Sequence, residues 1–426
     1  MRVLVVGSGG REHTLCWKIA QSSLVDEVFC APGNGGIAQD AVCVDIGADD
    51  IAGLLKFAKN NRFDLTVVGP EAPLTAGIVD AFRSEGLAVF GPDKAAAALE
   101  GSKAFAKDVM KACGIPTATY RVFSDVHAAR TFIKEAPYNV VVKADGLAAG
   151  KGVLVTSSKE EAYAAIDEVM VKKSFGAAGD RALVEELLDG EEASFIAICD
   201  GENVLPLASS QDHKRVFDND EGPNTGGMGA YSPAPVVDDT VTAAVMEKIL
   251  NPLARGLKKQ GITYRGVIYA GLMITKTGPS VLEFNVRLGD PETQPLLMRC
   301  KSDIVPVLLE VANGGVIRNY TLDWEEGPSV CVVVASGGYP GSIEKGKVIS
   351  GIAQADKIAG VKVFHAGTRL QGDAFVTIGG RVLGVTAKAH ELKAAIDKAY
   401  QAISLISFDR MHFRKDIGHK ALKRLS

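Results

Sequence analysis

The stretch Leu282-Glu283-Phe284-Asn285-Val286-Arg287-Leu288 reads as a β-strand with one polar and one apolar face. Because successive side chains of a strand alternate between faces, Glu283, Asn285 and Arg287 are predicted to share one side. The other face is predicted to be core and consists of Leu282, Phe284, Val286 and Leu288. Glutamate and asparagine supply hard oxygen ligands that suit Mg²⁺, and Arg287 can neutralise charge on a transferring phosphoryl group. A plain amphipathic strand is the alternative, because two ligands hold no metal without a nucleotide.

The segments around this strand extend the pattern. Residues 266–275 predict a preceding strand, and Asp290-Pro291-Glu292 predicts a helix start, with a side-chain cap and then proline at the first helical position. Upstream, residues 211–235 are polar and rich in glycine and proline, which predicts a long functional loop. A helix is expected over about 239–260. This region is therefore predicted to be α+β.

The predicted loop opens with concentrated charge, Gln211-Asp212-His213-Lys214-Arg215, and continues as Gly222-Pro223-Asn224-Thr225-Gly226-Gly227-Met228-Gly229. Charge beside mobile glycines favours a segment that closes over a substrate, although a solvated turn explains the pattern equally well. His213 has no serine or cysteine nucleophile at a recognisable elbow, so an acyl-enzyme triad is not favoured.

The first hundred residues alternate short apolar runs with helical segments. The strand runs lie at 3–6, 28–30, 41–44, 65–68 and 87–90. Strands separated by helices indicate right-handed crossovers and a parallel sheet with helices on both faces, as in a Rossmann-like domain. Glycine- or proline-containing turns follow the strand ends, at the edge where open α/β sheets bind ligands.

The first of these turns, Gly7-Ser8-Gly9-Gly10, invites a dinucleotide interpretation that the sequence does not support. The G-x-G-x-x-G motif requires glycine at position 12, where the chain has Glu12, and no acidic residue follows Cys30 to hold a ribose. Backbone N–H groups at a helix start, together with Arg11, suit a phosphate monoester instead. A tight turn with a surface arginine is the alternative.

A second glycine-rich stretch, Gly146-Leu147-Ala148-Ala149-Gly150-Lys151-Gly152, follows a predicted strand at 138–142. It is not a P-loop, because three residues separate its first glycines and Gly152 replaces the magnesium-binding serine or threonine. Such a loop can still cover the phosphates of a nucleotide as a flap, with Lys143 supplying point charge. An ordinary hairpin loop is the alternative.

Composition excludes several classes of protein. Lys plus Arg (47) against Asp plus Glu (51) gives a net charge of −4, too mild for wrapping of nucleic acid or anionic lipid. No apolar run approaches the roughly 20 residues of a membrane span, and no secretory signal is recognisable, so we expect a cytoplasmic protein. The seven cysteines show no metal-like spacing and are expected to be reduced core thiols. The basic end, residues 412–424, is predicted to be a solvated tail, with a helper of phosphate binding as the alternative.

Taken together, these segments resemble the ATP-grasp ligases and, among them, the glycinamide ribonucleotide synthetase family, over nearly the whole chain. The motifs that carry the resemblance are Gly9-Gly10-Arg11-Glu12-His13, Ala31-Pro32-Gly33-Asn34, Gly69-Pro70-Glu71-Ala72-Pro73-Leu74, the stretch Lys143–Val153, Asp212-His213-Lys214-Arg215, the stretch Gly222–Tyr231, and Glu283–Arg287 leading into Gly289-Asp290-Pro291-Glu292-Thr293. The resemblance implies α/β and α+β domains in three parts: a Rossmann-like domain (1–101), an ATP-grasp domain (102–325) with a mobile small lobe at about 116–190, and a small C-terminal α+β domain (326–426).

The resemblance also implies a reaction and its cofactors. Such an enzyme joins glycine to 5-phosphoribosylamine with ATP and Mg²⁺ or Mn²⁺, giving glycinamide ribonucleotide, ADP and phosphate in purine biosynthesis. A glycyl phosphate intermediate is expected, because the carboxylate of glycine is itself a poor electrophile. The sequence leaves open whether the chain makes a transient contact with the preceding amidotransferase. It also leaves open two alternatives: an ATP-grasp enzyme acting on another acid, and a nucleotide-responsive binding protein without turnover.

Site residues follow from the same resemblance. The implied ATP-binding residues are Lys103, Lys143, Gly146, Gly150, Lys151, Gly152, the adenine hinge Glu185, Glu186 and Leu187, and the ribose-binding Glu192. The implied substrate-binding residues are Gly9, Gly10, Arg11, Asn34, Glu71, Asp212, Lys214, Asn224, Gly226, Gly227 and Arg287. Arg287, Asp212 and Lys143 are the implied catalytic residues, and Glu283 and Asn285 the metal ligands. Two departures stand out: Asn219 replaces an expected glycine, a backbone position that asparagine tolerates, and residues 266–275 offer no additional carboxylate.

Overall fold

The computed structural model describes residues 1–148 and 150–425, so Ala149 of the glycine-rich stretch lies outside the described residues. The first part of the chain contains β1 (Arg2–Gly7), α1 (Gly10–Ile19), β2 (Glu27–Pro32), β3 (Val42–Cys43), α2 (Ile51–Asn61), β4 (Leu65–Val68), α3 (Glu71–Ala76), α4 (Ile78–Ser84), β5 (Val89–Phe90) and α5 (Lys94–Gly101). The strands pair in parallel in the order β3-β2-β1-β4-β5. The predicted Rossmann-like sheet is therefore confirmed, and its strand ends face the rest of the chain.

The described residues of the middle part form two four-stranded antiparallel sheets and a two-stranded one at Arg215–Phe217 and Glu221–Asn224. It begins with α6 (Lys103–Cys113), β6 (Tyr120–Phe123), α7 (Val126–Glu135), β7 (Val140–Ala144), β8 (Val153–Val155), α8 (Lys159–Ile166) and β9 (Ala182–Glu186), whose strands pair in the order β6-β9-β7-β8. It continues with β10 (Glu191–Asp200), β11 (Val204–Pro206), β12 (Gln211–Asp212), β13 (Arg215–Phe217), β14 (Glu221–Asn224), β15 (Gly229–Ser232), α9 (Asp239–Val245), α10 (Asn251–Lys259), β16 (Arg265–Thr275), β17 (Gly278–Asn285), α11 (Thr293–Arg299) and α12 (Val305–Ala312). The second sheet has the order β11-β10-β16-β17. The two four-stranded sheets face each other across a cleft.

The last part completes a sheet that began earlier in the chain. It contains β18 (Ser329–Ala335), β19 (Val348–Ile349), α13 (Ile352–Asp356), β20 (Val361–His365), β21 (Thr368–Gln371), β22 (Ala374–Thr377), β23 (Arg381–Lys388), α14 (Leu392–Ile403) and α15 (His419–Leu425). The main sheet of this part has the order β12-β15-β18-β23-β20. Strands from residues 211–232 therefore pair with strands from the C-terminal hundred residues, and this sheet crosses the proposed boundary at residue 325.

Three local predictions are wrong. Residues 211–235 are not one long loop, because β12 to β15 lie within them; strands of two to four residues are too short for a period-two pattern to reveal. The helix after the polar strand begins at Thr293, not at Pro291, and its N-cap residue Glu292 makes no side-chain capping hydrogen bond. Cys43 is exposed rather than a core thiol, although all seven cysteines are free as expected.

None of the described helices is long and apolar enough to cross a membrane.

The basic end is also folded, against the prediction of a solvated tail. Arg414 is 1% exposed and pairs with Asp220 and Asp416. His412 forms an isolated β-bridge with Ala335 of β18, and the helix α15 follows at His419–Leu425. Charge alone suggested a tail, but the buried Arg414 has a carboxylate partner, Asp220, that lies far away in sequence. The left-handed backbone expected at Asn219 is confirmed, with φ of 59°, and the adjacent Asp220 adopts it too.

Candidate active site

A cavity of about 700 Å³ opens between the two four-stranded antiparallel sheets of the middle part and reaches the strand ends of the Rossmann-like sheet. Most of the residues implied by the resemblance line it. They are Arg11, Glu71, Lys103, Lys143, Gly146, Gly150, Gly152, Glu185, Glu186, Leu187, Glu192, Asp212, Lys214, Asn224, Gly226, Glu283, Asn285 and Arg287. Residues from every part of the chain thus converge on one cleft.

The polar strand β17 lies along the cavity as alternation predicts, with one irregularity. Glu283, Asn285 and Arg287 all line the cavity, although β17 ends at Asn285 and Arg287 follows it. A β-bulge shifts the register opposite Gly271 and Leu272, so Leu282 is half-buried at the cavity instead of in the core. The prediction that Leu282 shares the core face is therefore wrong, because a bulge inserts a residue and resets alternation.

The neighbouring strand leaves room for the Glu283 carboxylate. Gly271 pairs with Glu283 across the sheet, and a Cβ at Gly271 would meet the Glu283 Cγ at 3.1 Å. The pKa of Glu283 is lowered to about 2, against the effect of its burial, by the charges of Lys214, Lys143 and Lys103. No described residue hydrogen-bonds to the side-chain amide of Asn285. An ionised carboxylate and an unengaged amide oxygen therefore lie side by side.

Lys143 is held from two directions at the end of β7. Its Nζ donates to the Leu282 carbonyl at 2.9 Å and lies 3.0 Å from the Glu185 carboxylate. Lys107 pairs with the same carboxylate at 3.2 Å and donates to Thr117. Burial lowers the pKa of Lys107 to about 8. The side chain of Glu185 thus serves chiefly to fix two lysines at the cavity wall.

The flap over the cavity is tied down where it begins. Lys103 Nζ donates to the Gly146 carbonyl at 2.9 Å, and Asp145 accepts from the start of α6. Gly146 and Gly150 both have positive φ angles, and a Cβ at Gly150 would approach the Thr225 carbonyl at 3.2 Å. The flap therefore packs on the glycine-rich segment after β14. Lys151 points elsewhere, since it donates to the Pro340 carbonyl and is exposed.

Asp212 lies at the inner end of the cavity beside a second buried acid. Burial and the charge of Glu292 raise the pKa of Asp212 well above its usual value. Glu292 is itself engaged by the hydroxyls of Tyr269 and Ser194. A Cβ at Gly227 would meet Asp212 Oδ1 at 2.9 Å, so this glycine lets the loop approach the carboxylate. Two neighbouring carboxylates in a buried site favour a cationic ligand group.

Lys214 bridges the two acids expected to hold ribose and metal. Its Nζ lies 3.1 Å from Glu192 and 3.7 Å from Glu283. The charge of Glu192, followed by those of Glu283 and Asp212, raises the pKa of Lys214. At the predicted hinge, the Leu187 N–H donates to the Asn139 carbonyl, and Leu187 lines the cavity.

Arg287 is held by two carboxylates from the first part of the chain. Its guanidinium contacts Glu71, at the start of α3, at 3.1 Å and Glu100, in α5, at 2.9 Å. Glu100 also accepts from the Val286 N–H at 2.8 Å. These charges raise the pKa of Arg287 against the effect of burial. Arg287 is therefore a cation fixed at the cavity wall, next to the Rossmann-like part of the chain.

The residues around the first turn divide into two groups. Arg11 lines the cavity and donates to the Leu288 carbonyl at 3.1 Å. Five residues that the resemblance implies do not line the cavity; they are Gly9, Gly10, Asn34, Lys151 and Gly227. The Asn34 side chain donates to the carbonyls of Ser8 and His365 and accepts from two backbone N–H groups. Its hydrogen-bonding capacity is thus used to join the first and last parts of the chain.

Several residues of the cavity were missed from the sequence. Arg381 donates to the Gly226 carbonyl and pairs with Asp290 at 3.2 Å, so it fixes the glycine-rich segment. Other charged residues of the cavity that received no site role from the sequence include Glu100, Lys107, Glu292 and Lys420. Glu292 stood in a quoted motif but was interpreted only as a helix start. Arg381 follows the pair Gly379-Gly380, as Arg11 follows Gly9-Gly10 in the first turn, and this similarity could have indicated it. No sequence pattern indicated Glu100.

Two antiparallel sheets that enclose paired lysines, a glycine-rich flap and an acid–amide strand define an ATP-grasp enzyme. The ATP-grasp (A) domain described for phosphoribosylglycinamide synthetase matches residues 101–293. The N and C domains described for the same enzyme match residues 1–100 and 329–420. The chain belongs to the phosphoribosylglycinamide synthetase family, as its motifs predicted.

Relatives of known name cover the whole chain. The phosphoribosylamine–glycine ligase of Yersinia pestis is 54% identical over 428 aligned residues, with 100% of both chains covered. A solved structure of phosphoribosylamine–glycine ligase from Thermotoga maritima superposes with a TM-score of 0.85 at 34% identity, over 98% of this chain and 100% of that one. The biotin carboxylase domain of a Hydrogenobacter thermophilus carboxylase, at 18% identity, has a TM-score of 0.74 over 97% of this chain and 91% of that one. The last comparison shows a shared fold.

Proposed function

We propose that this chain joins glycine to 5-phosphoribosylamine at the expense of ATP, through glycyl phosphate. The observation that carries the proposal is the convergence of Lys143, Asp212, Glu283 and Arg287 on one cavity of about 700 Å³. A cavity of this size suits a nucleotide together with small substrates. Membership of the family supports the same reaction, since the relatives named above carry that name.

The donor set at β17 fits a hard divalent cation. Glu283 is ionised, Asn285 is unengaged, and Gly271 leaves the space that the carboxylate needs. Mg²⁺ or Mn²⁺ would be held by these two side chains together with ATP phosphate oxygens and water. When bound, such a cation neutralises charge on the transferred phosphoryl group. Among the described residues no cluster of three or more acids, cysteines and histidines suits a metal without nucleotide.

In the proposed first step, the carboxylate of glycine attacks the γ-phosphorus of ATP; the new O–P bond forms, the P–O bond to the β-phosphate breaks, and ADP leaves. Lys143 is fixed by Glu185 and the Leu282 carbonyl, so it can contact the nucleotide phosphates without reorganising. Asp212, with Glu292 behind it, would accept the ammonium group of glycine. Arg287 would stabilise the developing charge from the opposite side. Positioning and electrostatics account for phosphoryl transfer here, without a protein nucleophile.

In the proposed second step, the amine of phosphoribosylamine attacks the acyl carbon of glycyl phosphate. A C–N bond forms, the C–O bond to phosphate breaks, and the proton lost from nitrogen leaves with the phosphate. Gly150 of the flap already approaches the carbonyl of Thr225. Closure of this contact would exclude water that hydrolyses an acyl phosphate. Arg11 and Glu71 flank the expected position of the ribosylamine.

The test is phosphate release by the full chain with ATP and Mg²⁺, with glycine and phosphoribosylamine omitted in turn. We expect rapid release only when both are present, with one glycinamide ribonucleotide formed for each phosphate. Turnover with another acid in place of glycine would favour a different ATP-grasp activity, and nucleotide binding without turnover would favour a binding protein. A contact with the amidotransferase that supplies the amine and a cytoplasmic location stay predictions from the sequence.

A further inference from the structure

The C-terminal segment, residues 412–424, is a part of the molecule that the proposed reaction does not use. It returns across the substrate loop, residues 212–224, which carries Asp212 and Lys214 into the cavity. His412 contacts the Val216 carbonyl at 2.9 Å, and the Lys415 N–H donates to Asp218 at 2.7 Å. The segment therefore lies along the loop and not in solvent.

Arg414 is at the centre of these contacts. Its Nη1 donates to the Arg215 carbonyl at 3.1 Å and to Asp220 Oδ1 at 2.8 Å. Its Nε and Nη2 donate to both oxygens of Asp416, at 2.8 and 2.7 Å. A guanidinium suits this role because its planar fork serves several acceptors at once, which an ammonium does not. One buried side chain thus joins the C-terminal segment to both sides of the loop tip.

The loop tip has a left-handed backbone conformation at two neighbouring residues, and contacts from the C-terminal segment hold it there. Asn219 and Asp220 both have positive φ angles, which cost free energy in residues other than glycine. The Asn219 N–H donates to Asp416 at 2.9 Å, and Lys420 pairs with Asp220 at 2.6 Å. Asp416, Arg414 and Lys420, which all belong to the C-terminal segment, thus hold this strained pair.

The segment also reaches the residue between the two functional side chains of the loop. His213 lies between Asp212 and Lys214 in sequence and is 1% exposed. Its Nε2 accepts from the Gly418 N–H at 3.4 Å, and its Nδ1 faces the Gly229 carbonyl at 3.2 Å. Side chains at 212 and 214 are directed into the cavity only while residue 213 stays buried on the opposite side.

We propose that the C-terminal segment holds the substrate loop in its binding geometry and that Arg414 is a positioning residue for Asp212 and Lys214. The inference rests on the proposed function, because it takes these two residues as the binding site for glycine and its phosphorylated form. Arg414 itself does not line the cavity. Its effect on substrate is therefore transmitted through the backbone of residues 213–220.

The test compares Arg414→Gln and Arg414→Lys with Lys415→Ala, a control that removes an exposed basic side chain but keeps the backbone N–H to Asp218. For Arg414→Gln we expect the glycine KM to rise about tenfold, the equivalent of about 1.4 kcal/mol, and the ATP KM to change less than about threefold. Arg414→Lys is expected to recover part of the glycine affinity, and Lys415→Ala to match the unsubstituted chain. Hydrogen exchange should accelerate at the amides of residues 215–220 in Arg414→Gln alone.

The outcomes separate this inference from the proposed function. A glycine KM that is unchanged in Arg414→Gln, or equal increases in both KM values, would overturn the positioning role. If Arg414→Gln does not fold, Arg414→Lys provides the same comparison, since lysine keeps the charge but cannot serve every acceptor. Failure of the proposed function would show in the unsubstituted chain, as ATP turnover that does not respond to glycine.

Discussion

The guanidinium of Arg287 lies 2.9 Å from the carboxylate of Glu100, which also accepts the N–H of Val286 at 2.8 Å. One carboxylate thus fixes both the end of the polar strand and the cation that follows it. Burial raises the pKa of Glu100, while the nearby Arg287 opposes that effect. The position of Arg287 is therefore determined from the Rossmann-like part of the chain as well as from its own strand.

Arg287→Ala should lower kcat by about a hundredfold or more, the range seen when one electrostatic contact to a transition state is removed. The unfolding temperature should also fall, because the substitution leaves the nearly buried carboxylate of Glu100 without its cation. Steady-state phosphate release and thermal unfolding measure the two effects. Arg255→Ala, which removes an exposed arginine from α10, is the control. Turnover close to that of the unsubstituted chain would exclude Arg287 from the reaction.

Asp212→Asn should raise the glycine KM by about tenfold or more, because a charge-assisted hydrogen bond to an ammonium group is lost. The KM for ATP should change much less, since the Asp212 side chain makes no ion pair with Lys103 or Lys143, the lysines implied to contact ATP. Initial rates over a range of glycine concentrations provide the measurement, with the exposed Asp239→Asn as the matched control. An unchanged glycine dependence would mean that another group binds the amine.

Glu283→Gln should increase the Mg²⁺ concentration needed for half-maximal rate by about tenfold, because a neutral amide replaces the charged ligand. Gly271→Ala should act in the same direction, since its Cβ would meet the Glu283 Cγ at 3.1 Å and displace the carboxylate. Rates measured against free Mg²⁺ at saturating ATP test both variants. The exposed Glu247→Gln should behave as the unsubstituted chain does. Identical Mg²⁺ curves for all variants would contradict the assignment.

His365 should make the protein less stable as the pH falls below about 6.5. Burial lowers the pKa of this imidazole to about 3, so between pH 6.5 and 3 the unfolded chain binds a proton that the folded chain does not. Falling pH therefore favours unfolding, by up to about 1.4 kcal/mol per pH unit from this group. Urea unfolding at pH 7, 6 and 5 should show a shallower pH dependence for His365→Asn. An unchanged dependence would place the proton uptake elsewhere, for example at His213.

How far the sequence predicted the structure depended on the length of each pattern. The parallel sheet of the first part followed from apolar runs between helices, and the cavity-facing side of β17 followed from alternation over several residues. The short strands β12 to β15 escaped because each has only two to four residues. β15 in addition pairs with β18, about a hundred residues further along the chain, a relationship that no local pattern contains. The position of Leu282 was missed for a related reason, since a bulge is set by the neighbouring strand.

Site residues could be predicted where a sequence motif indicated their role. They could not be predicted where the role depends on a contact with a residue far away in sequence. Lys143, Asp212 and Glu283 stood in motifs and line the cavity. Glu100 and Arg381 reach the site from separate elements, and their importance follows from partners that lie about 90 to 190 residues away in sequence. The basic end shows the limit most clearly, because composition alone cannot distinguish a solvated tail from cations that are buried against distant acids.

The sheet β12-β15-β18-β23-β20 has a practical consequence for dividing this protein. A cut near residue 325 would leave the ATP-grasp fragment with an unpaired edge at β15, residues 229–232, and the terminal fragment with an apolar unpaired edge at β18, residues 329–335. We expect each fragment to aggregate when it is produced alone, because an unpaired edge strand can pair with other chains. Split reporters and fusion insertions are therefore better sited in surface turns, such as the one around Gly372, where a side chain would meet open space.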